Sequence, residues 1–471
     1  MIGLTPLWAV AESVKDDSAP AAPTFAREVA PIIYRHCAVC HHEGQAAPFA
    51  LTNFTQVQKR GRQIAEVTAS RFMPPWKLTV SDFKLRHDRR LAPEQIDILQ
   101  RWVAAGMPRG DAAQELPAPT FSSSWALGEP DLQVSMDAAF SVPADGPDVY
   151  RNFVLPLNQE EDHWVRAIDF RPGAPTVVHH SLFFFDTTGM ARERDEQDET
   201  PGYRSRMGFL PTGRDRRGIA SALNIAGDQE EAAPFGGLGG WAVGGNPQEF
   251  PDGLAMFLPK GADLVLSTHF HPSGKQEEER STIGIYFAKS DPTNRFNALI
   301  LPPLFGALAG LDIPAGVTNY SIGDTFTLPV DVKAFGLGAH AHYLGKELQM
   351  KATLPDGRTR ILGWIQDWDF DWQERYRYDE EVSLPAGTVI EVSVRYDNSA
   401  GNVSNPSHPP QRVRWGEQST DEMGSMTLLV VPVDKADHAV LQEAYRTHVR
   451  DGVRHRIRSG FQRLRGERNS P

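Results

Sequence analysis

Three stretches of this chain carry residues whose types and spacing suit metal or redox chemistry. The first is Gly338-Ala-His-Ala-His-Tyr-Leu-Gly-Lys346. Residues two apart on a strand share a face, so His340 and His342 point the same way. Phe335, Leu337, Ala339, Ala341 and Tyr343 take the opposite face and can fill a core. Two adjacent imidazoles are half of a metal site or two histidines on a solvated face, and the spacing alone leaves both open. The second stretch is Cys37-Ala-Val-Cys40-His41. Two thiols at this spacing can add to the two vinyl groups of one haem, and the histidine that follows then lies under the iron. No other cysteine exists to complete a zinc site or a disulfide framework. The third is the run Leu264 to His271, in which Leu264, Leu266, Thr268 and Phe270 share one strand face and Ser267, His269 and His271 the other.

The haem motif needs a helical module around it. Phe25, Val29 and Ile33 recur at helical spacing before it, disturbed by Pro31. A second helix is predicted from Pro93 to Ala105, with Pro93 in its first turn, Gly106 as its stop and Ile96, Leu99, Trp102 and Val103 as its apolar stripe. Residues 24–112 are expected to form a small α-helical, cytochrome c-like domain. For the distal iron ligand Met73, in Arg-Phe-Met-Pro-Pro-Trp, is preferred to Met107, His42 and His87. A methionine at either place can equally be a core filler. With both axial positions taken, such a haem carries electrons. Residues 113–124, with Pro117, Pro119 and Ser122 to Ser124, are expected to be a linker.

Beyond the linker the chain is rich in turns and short β-branched runs, with Pro 36 and Gly 40. It also repeats itself. Leu258-Pro-Lys-Gly261 opens a run to Ser273, and Leu384-Pro-Ala-Gly387 opens a run to Ser399 that aligns without a gap. Val142-Pro-Ala and Ile313-Pro-Ala begin matching segments upstream, each followed by a histidine pair. Two related antiparallel β-sandwich domains, jelly-roll-like, are expected at 125–300 and 301–432. In this alignment Arg395 stands where His269 stands in the first half. A cation cannot ligate a metal, so two equivalent sites are not built from equivalent residues.

Four stretches, in order, resemble the copper type II ascorbate-dependent monooxygenases, the family of peptidylglycine α-hydroxylating and dopamine β-monooxygenases. They are Val-Val-His179-His180-Ser-Leu-Phe, Leu-Ser-Thr-His269-Phe-His-Pro, His340-Ala-His342-Tyr-Leu-Gly-Lys and Ser-Thr-Asp-Glu-Met423. The resemblance covers residues 125–432. It implies one copper on His179, His180 and His269 and a second on His340, His342 and Met423, the second set being the catalytic one. It also implies hydroxylation of a substrate C–H bond with O₂, each copper delivering one electron from an external reductant, ascorbate or a redox partner protein. His179 and His180 are neighbours, so a regular strand would aim them apart, and only a strand end or bulge brings both to one metal. His271 is left as a solvent histidine. The amidating enzyme's carboxylate-binding Arg, Asn and Tyr are replaced here by Gly338, Ser425 and Thr427, which argues against peptide amidation. The alternative reading is a non-catalytic copper/haem electron-transfer or copper-binding protein.

The net charge of −12 argues against a nucleic-acid partner, and no apolar run reaches the roughly 18 residues of a membrane span. Haem attachment and the family both imply a periplasmic or secreted protein. Residues 1–23 are expected to be a signal remnant or disordered, although residues 1–13 lack a basic start. The stretch 190–235 is expected to be an insertion able to cover the cleft, and 433–471 a basic, solvated helical tail.

Overall fold

The computed structural model describes residues 22–45, 47–121, 124–204, 235–243, 245, 247, 249–416 and 418–468. The leader reading and most of the expected insertion, 205–234, lie outside them. The chain folds as two compact units, and most regular structure is antiparallel strand.

The first unit holds residues up to His42, Ala50–Pro74 and Arg90–Thr120. Its helices are Ala30–His36, Phe54–Ala69 and Pro93–Ala104, the first preceded by a wider turn at Phe25–Val29. Asn53 caps the middle helix by accepting a hydrogen bond from the Gln56 amide. Phe25, Ile33, Leu99 and Trp102 are fully buried, as the apolar spacing requires. Residues 75–89, expected within this module, belong instead to the second unit. Trp76, Leu78 and Leu85 are buried in that unit's core, where β1 (Leu78–Val80) extends a sheet.

The second unit contains two halves of identical topology. In the first half one sheet has the order β4 (Val149–Pro156), β9 (Asp263–Phe270), β6 (Val178–Asp186), β7 (Phe235–Ala242). The other has β2 (Leu132–Ser135), β11 (Thr282–Phe287), β5 (His163–Arg171), β8 (Met256–Leu258). A small ribbon pairs β3 (Phe140–Val142) with β10 (Glu277–Glu279).

In the second half the corresponding sheet is β14 (Tyr320–Thr327), β19 (Val389–Tyr396), β16 (Gly345–Thr353), β17 (Thr359–Ile365), with β1 added at the edge. Its partner sheet is β12 (Asn297–Leu301), β21 (Gly424–Pro432), β15 (Val332–Ala341), β18 (Arg375–Leu384). The ribbon is β13 (Asp312–Ile313) with β20 (Val413–Arg414). Each strand from β2 to β11 thus has its counterpart ten strands later.

Alternating apolar residues from both sheets of each half meet in one core, the sandwich arrangement. The turns that opened the sequence repeat join β8 to β9 and β18 to β19, with Gly261 and Gly387 at positive φ (69° and 82°). The first half's core also takes in Phe335 and Val431 from the second. The start of the basic tail is not solvated on all sides. The helix His438–Arg468 buries Leu441, Tyr445 and Val449, spaced by fours on one face, in the second half's core. Its Tyr445 hydroxyl donates to Ile300 O at 2.9 Å and accepts from the Ile300 amide at 3.1 Å.

Candidate metal centres

β6 carries the histidine pair at its start. Its register against β9 slips between Val178 and His180, so His179 is the extra residue of a bulge and His180 sits opposite His269. The bulge turns neighbouring side chains to one side. The three rings form a near-regular triangle with centroid separations of 5.2, 4.8 and 4.9 Å. One ligand nitrogen from each lies within 4.8 Å of the others, a spacing that could hold one ion. The Nδ1 atoms of His179 and His180 face each other at 3.0 Å. His269 is buried, and its Nδ1 has no hydrogen-bond partner among the described residues. Tyr150 stacks flat on His269 at 4.3 Å.

The outer edges of two of these rings meet carboxylates. Asp148 Oδ2 lies 2.9 Å from His269 Nε2, off the N–H axis, and Asp148 Oδ1 lies 2.9 Å from Nδ1 of the exposed His271. Burial opposes ionisation of Asp148, but the nearby His269 ring and the hydrogen bond from His271 outweigh it and hold the carboxyl at about 2. Asp371 Oδ1 lies 3.3 Å from His179 Nε2.

The second set lies where β15 ends. His340 Nδ1 is 2.6 Å from Gln373 Oε1 and His342 Nδ1 is 3.2 Å from the Asp421 carbonyl. Both contacts use Nδ1 as donor, which leaves Nε2 of each ring for a metal. Ala341 pairs with Gly424, the first residue of β21, so Met423 stands beside His342 across the ladder. Met423 is buried, its carbonyl accepts from the Tyr396 hydroxyl at 3.1 Å, and its amide donates to Glu422. The Glu422 carboxyl also takes the His342 and Leu344 amides, tying both ligand segments to one group. Burial pushes Glu422 up to about 8 against the pull of these amides. Gly424 must lack a side chain, because a Cβ would coincide with the Tyr396 hydroxyl.

Phe370 is wedged between the two sets. Its ring centroid is 5.5 Å from His179, 5.8 Å from His269 and 5.8 Å from His342. Burial pushes the imidazoles of His180, His269, His340 and His342 down, His342 to about 3, and neighbouring rings add repulsion for all but His340. At neutral pH these four rings are neutral, the form that binds a metal. Converging neutral nitrogens, one of them buried without a partner, fit a soft-to-borderline metal.

Sequence reasoning passed over Asp148, Phe370, Asp371, Gln373 and Glu422. A preceding Trp-Asp-Phe-Asp-Trp run, Trp368 to Trp372, was the available signal, but it carries no metal-ligand spacing. Arg375 was also unseen. It pairs with Gly338 in register, so a cation borders the position where the amidating enzyme keeps its arginine.

In the first unit, Cys37 to His41 form a compact turn after the first helix, the Cys40 and His41 amides donating to Cys37 O at 3.1 and 2.9 Å. His42 Nδ1 lies 2.8 Å from Ala38 O. Met73 follows the helix Phe54–Ala69, its amide donating to Val67 O at 3.0 Å. The Met107 sulfur packs against the backbone of Gly61, where a Cβ would come within 2.4 Å of it. His87 lies in the 75–89 segment of the second unit.

No protein-family model matches the chain. DBH-like monooxygenase protein 1 of Mus musculus is 23% identical over 208 residues, 41% of this chain and 32% of that protein. The Homo sapiens protein of the same name is 22% identical over 208 residues and the Gallus gallus one 20% over 207. The chain thus spans about a third of the length of these relatives, 32%. The likeness is distant, and it supports the copper monooxygenase family that the motifs resemble. Among solved structures, the infectious bursal disease virus VP2 subviral particle is 10% identical with a TM-score of 0.18, covering 67% of this chain and 75% of that one, a score that carries no argument. No helix among the described residues is long and apolar enough to cross a membrane.

Proposed function

We propose that this chain is a copper-dependent monooxygenase that hydroxylates a C–H bond of a small-molecule substrate with O₂. The observation that carries the reading is the pair of histidine sets that both adjoin Phe370, one of three imidazoles and one of two beside Met423. His179, His180 and His269 would hold one copper, and His340, His342 and Met423 the other. Bound copper would supply one-electron chemistry toward O₂. The thioether of Met423 suits the reduced ion. Gln373 and the Asp421 carbonyl fix the tautomers of His340 and His342, so that Nε2 of each is the nitrogen without a proton.

The Cys37–His41 turn would carry a covalent c-type haem, with His41 on one side of the iron and Met73 on the other. The packing of Met107 on Gly61 favours Met73. The haem would pass electrons from ascorbate or a redox partner protein toward the first copper. Attachment of such a haem would imply a periplasmic or secreted protein. The deciding experiment is oxygen uptake by the copper-loaded, reduced protein across a substrate panel, with elemental analysis alongside. Two coppers per chain and substrate-dependent uptake are expected. Two coppers with no uptake would favour the electron-transfer reading, and zinc held in preference to copper would sink both. A haem-stained denaturing gel, positive for the wild type and negative for Cys37→Ala, checks the haem.

A further inference from the structure

The two sets differ in what stands behind their ligands. In the first, the ring edges of His269 and His179 face the carboxylates Asp148 and Asp371. In the second, the rings of His340 and His342 face the neutral amide of Gln373 and the neutral carbonyl of Asp421. One short segment after β17 supplies both kinds of partner. Asp371 reaches the first set and Gln373 the second, while the Gln373 side-chain amide donates to Phe370 O at 3.0 Å and braces the wedge.

An anion close to a ligand histidine stabilises the more positively charged metal state through its field. A neutral partner does less, and a thioether favours the less charged state. We propose that Asp148 and Asp371 are positioning residues that set the direction of electron flow. They would make a copper held by His179, His180 and His269 easier to oxidise than one held by His340, His342 and Met423. The proposal rests on the reading that both sets hold copper. The two carboxylates contribute unequally. The Asp148 side chain is 11% exposed and the Asp371 side chain 68%. Water screens an exposed charge, so Asp148 has the larger effect.

The test is a redox titration of the copper-loaded full chain followed by the EPR signals of the two copper(II) centres, with His179→Ala and His340→Ala to assign them. Asp148→Asn raises the potential of the first centre and leaves the second unmoved. The expected size is about a tenfold change in the electron-exchange equilibrium, which for one electron is about 59 mV. Asp371→Asn shifts it the same way by less. Gln373→Glu, which puts an anion behind His340, lowers the potential of the second centre and narrows or reverses the gap. This variant carries the test if Asp148→Asn fails to fold or loses its first copper. Unchanged potentials in the folded, two-copper variants overturn the inference and leave the metal reading standing. A wild type that binds no copper overturns the metal reading itself.

Discussion

The two halves of the second unit use one ladder position for opposite purposes. In the first half the bulge on β6 presents His179 and His180 to His269 on β9. In the second half β16 carries the same register slip, between Gly345 and Glu347, but the residues there are Lys346 and Glu347, facing Arg395 on β19. A triangle of imidazoles in one half is an ion pair in the other, with Arg395 Nη2 2.8 Å from Glu347 Oε2. The second half places its histidines one strand earlier, at the end of β15 on the other sheet. Duplication therefore preserved the backbone and its bulge but not the chemistry. Backbone pairing is set by alternation and turns, which tolerate many side chains, whereas a ligand set needs particular atoms at particular places.

The strongest way to break this contrast is to remove one ligand from each half. His269→Ala and His340→Ala should each lose about one copper per chain by elemental analysis while keeping the other. Turnover should fall by more than the roughly 10–100-fold that loss of an outer partner costs. Loss of both coppers from either variant would mean a single shared site and end the comparison.

The halves also differ in reinforcement, because only the second is joined by β1 and by the helix His438–Arg468. Leu441 is fully buried there. Leu441→Ala should cost about 2–5 kcal/mol of unfolding free energy in chemical denaturation. A change near zero would return the helix to the solvated tail that its charge suggested.

Met423→Leu keeps the volume of a buried side chain, so stability should change by less than about 1.5 kcal/mol. Copper should weaken at the second centre alone, and turnover should fall. Unchanged copper affinity and turnover would make Met423 a core filler. The smallest effect is expected of Arg395→His, which installs the residue that the repeat has in the first half. Losing a half-exposed ion pair costs about 0–1 kcal/mol in a thermal or denaturant melt, and the copper count should stay at two, because Lys346 and Glu347 offer no imidazoles. A third copper would show that the ladder position itself, and not its residues, makes the site.

The chain by itself determined what depends on neighbours in sequence. Alternation placed Leu264, Leu266 and Phe270 in a core and His269 on the opposite face. Glycine at Gly261 and Gly387 opened the matched turns, and the stripe Leu99 and Trp102 made a helix. Period and turn chemistry are local and are written in consecutive residues. Only the tertiary structure decided which surfaces those faces meet. It aimed the adjacent His179 and His180 together through a bulge whose cause lies in the pairing with β9. It drew residues 75–89 out of the module they interrupt, because Trp76, Leu78 and Leu85 find an apolar core in the second unit. It buried one face of the first part of a helix that charge counting left in water. It also brought Asp148, Phe370, Asp371 and Gln373 to histidines far away in sequence. Periodicity tells which face a side chain occupies. The partner of that face is chosen by long-range packing, which no spacing along the chain records.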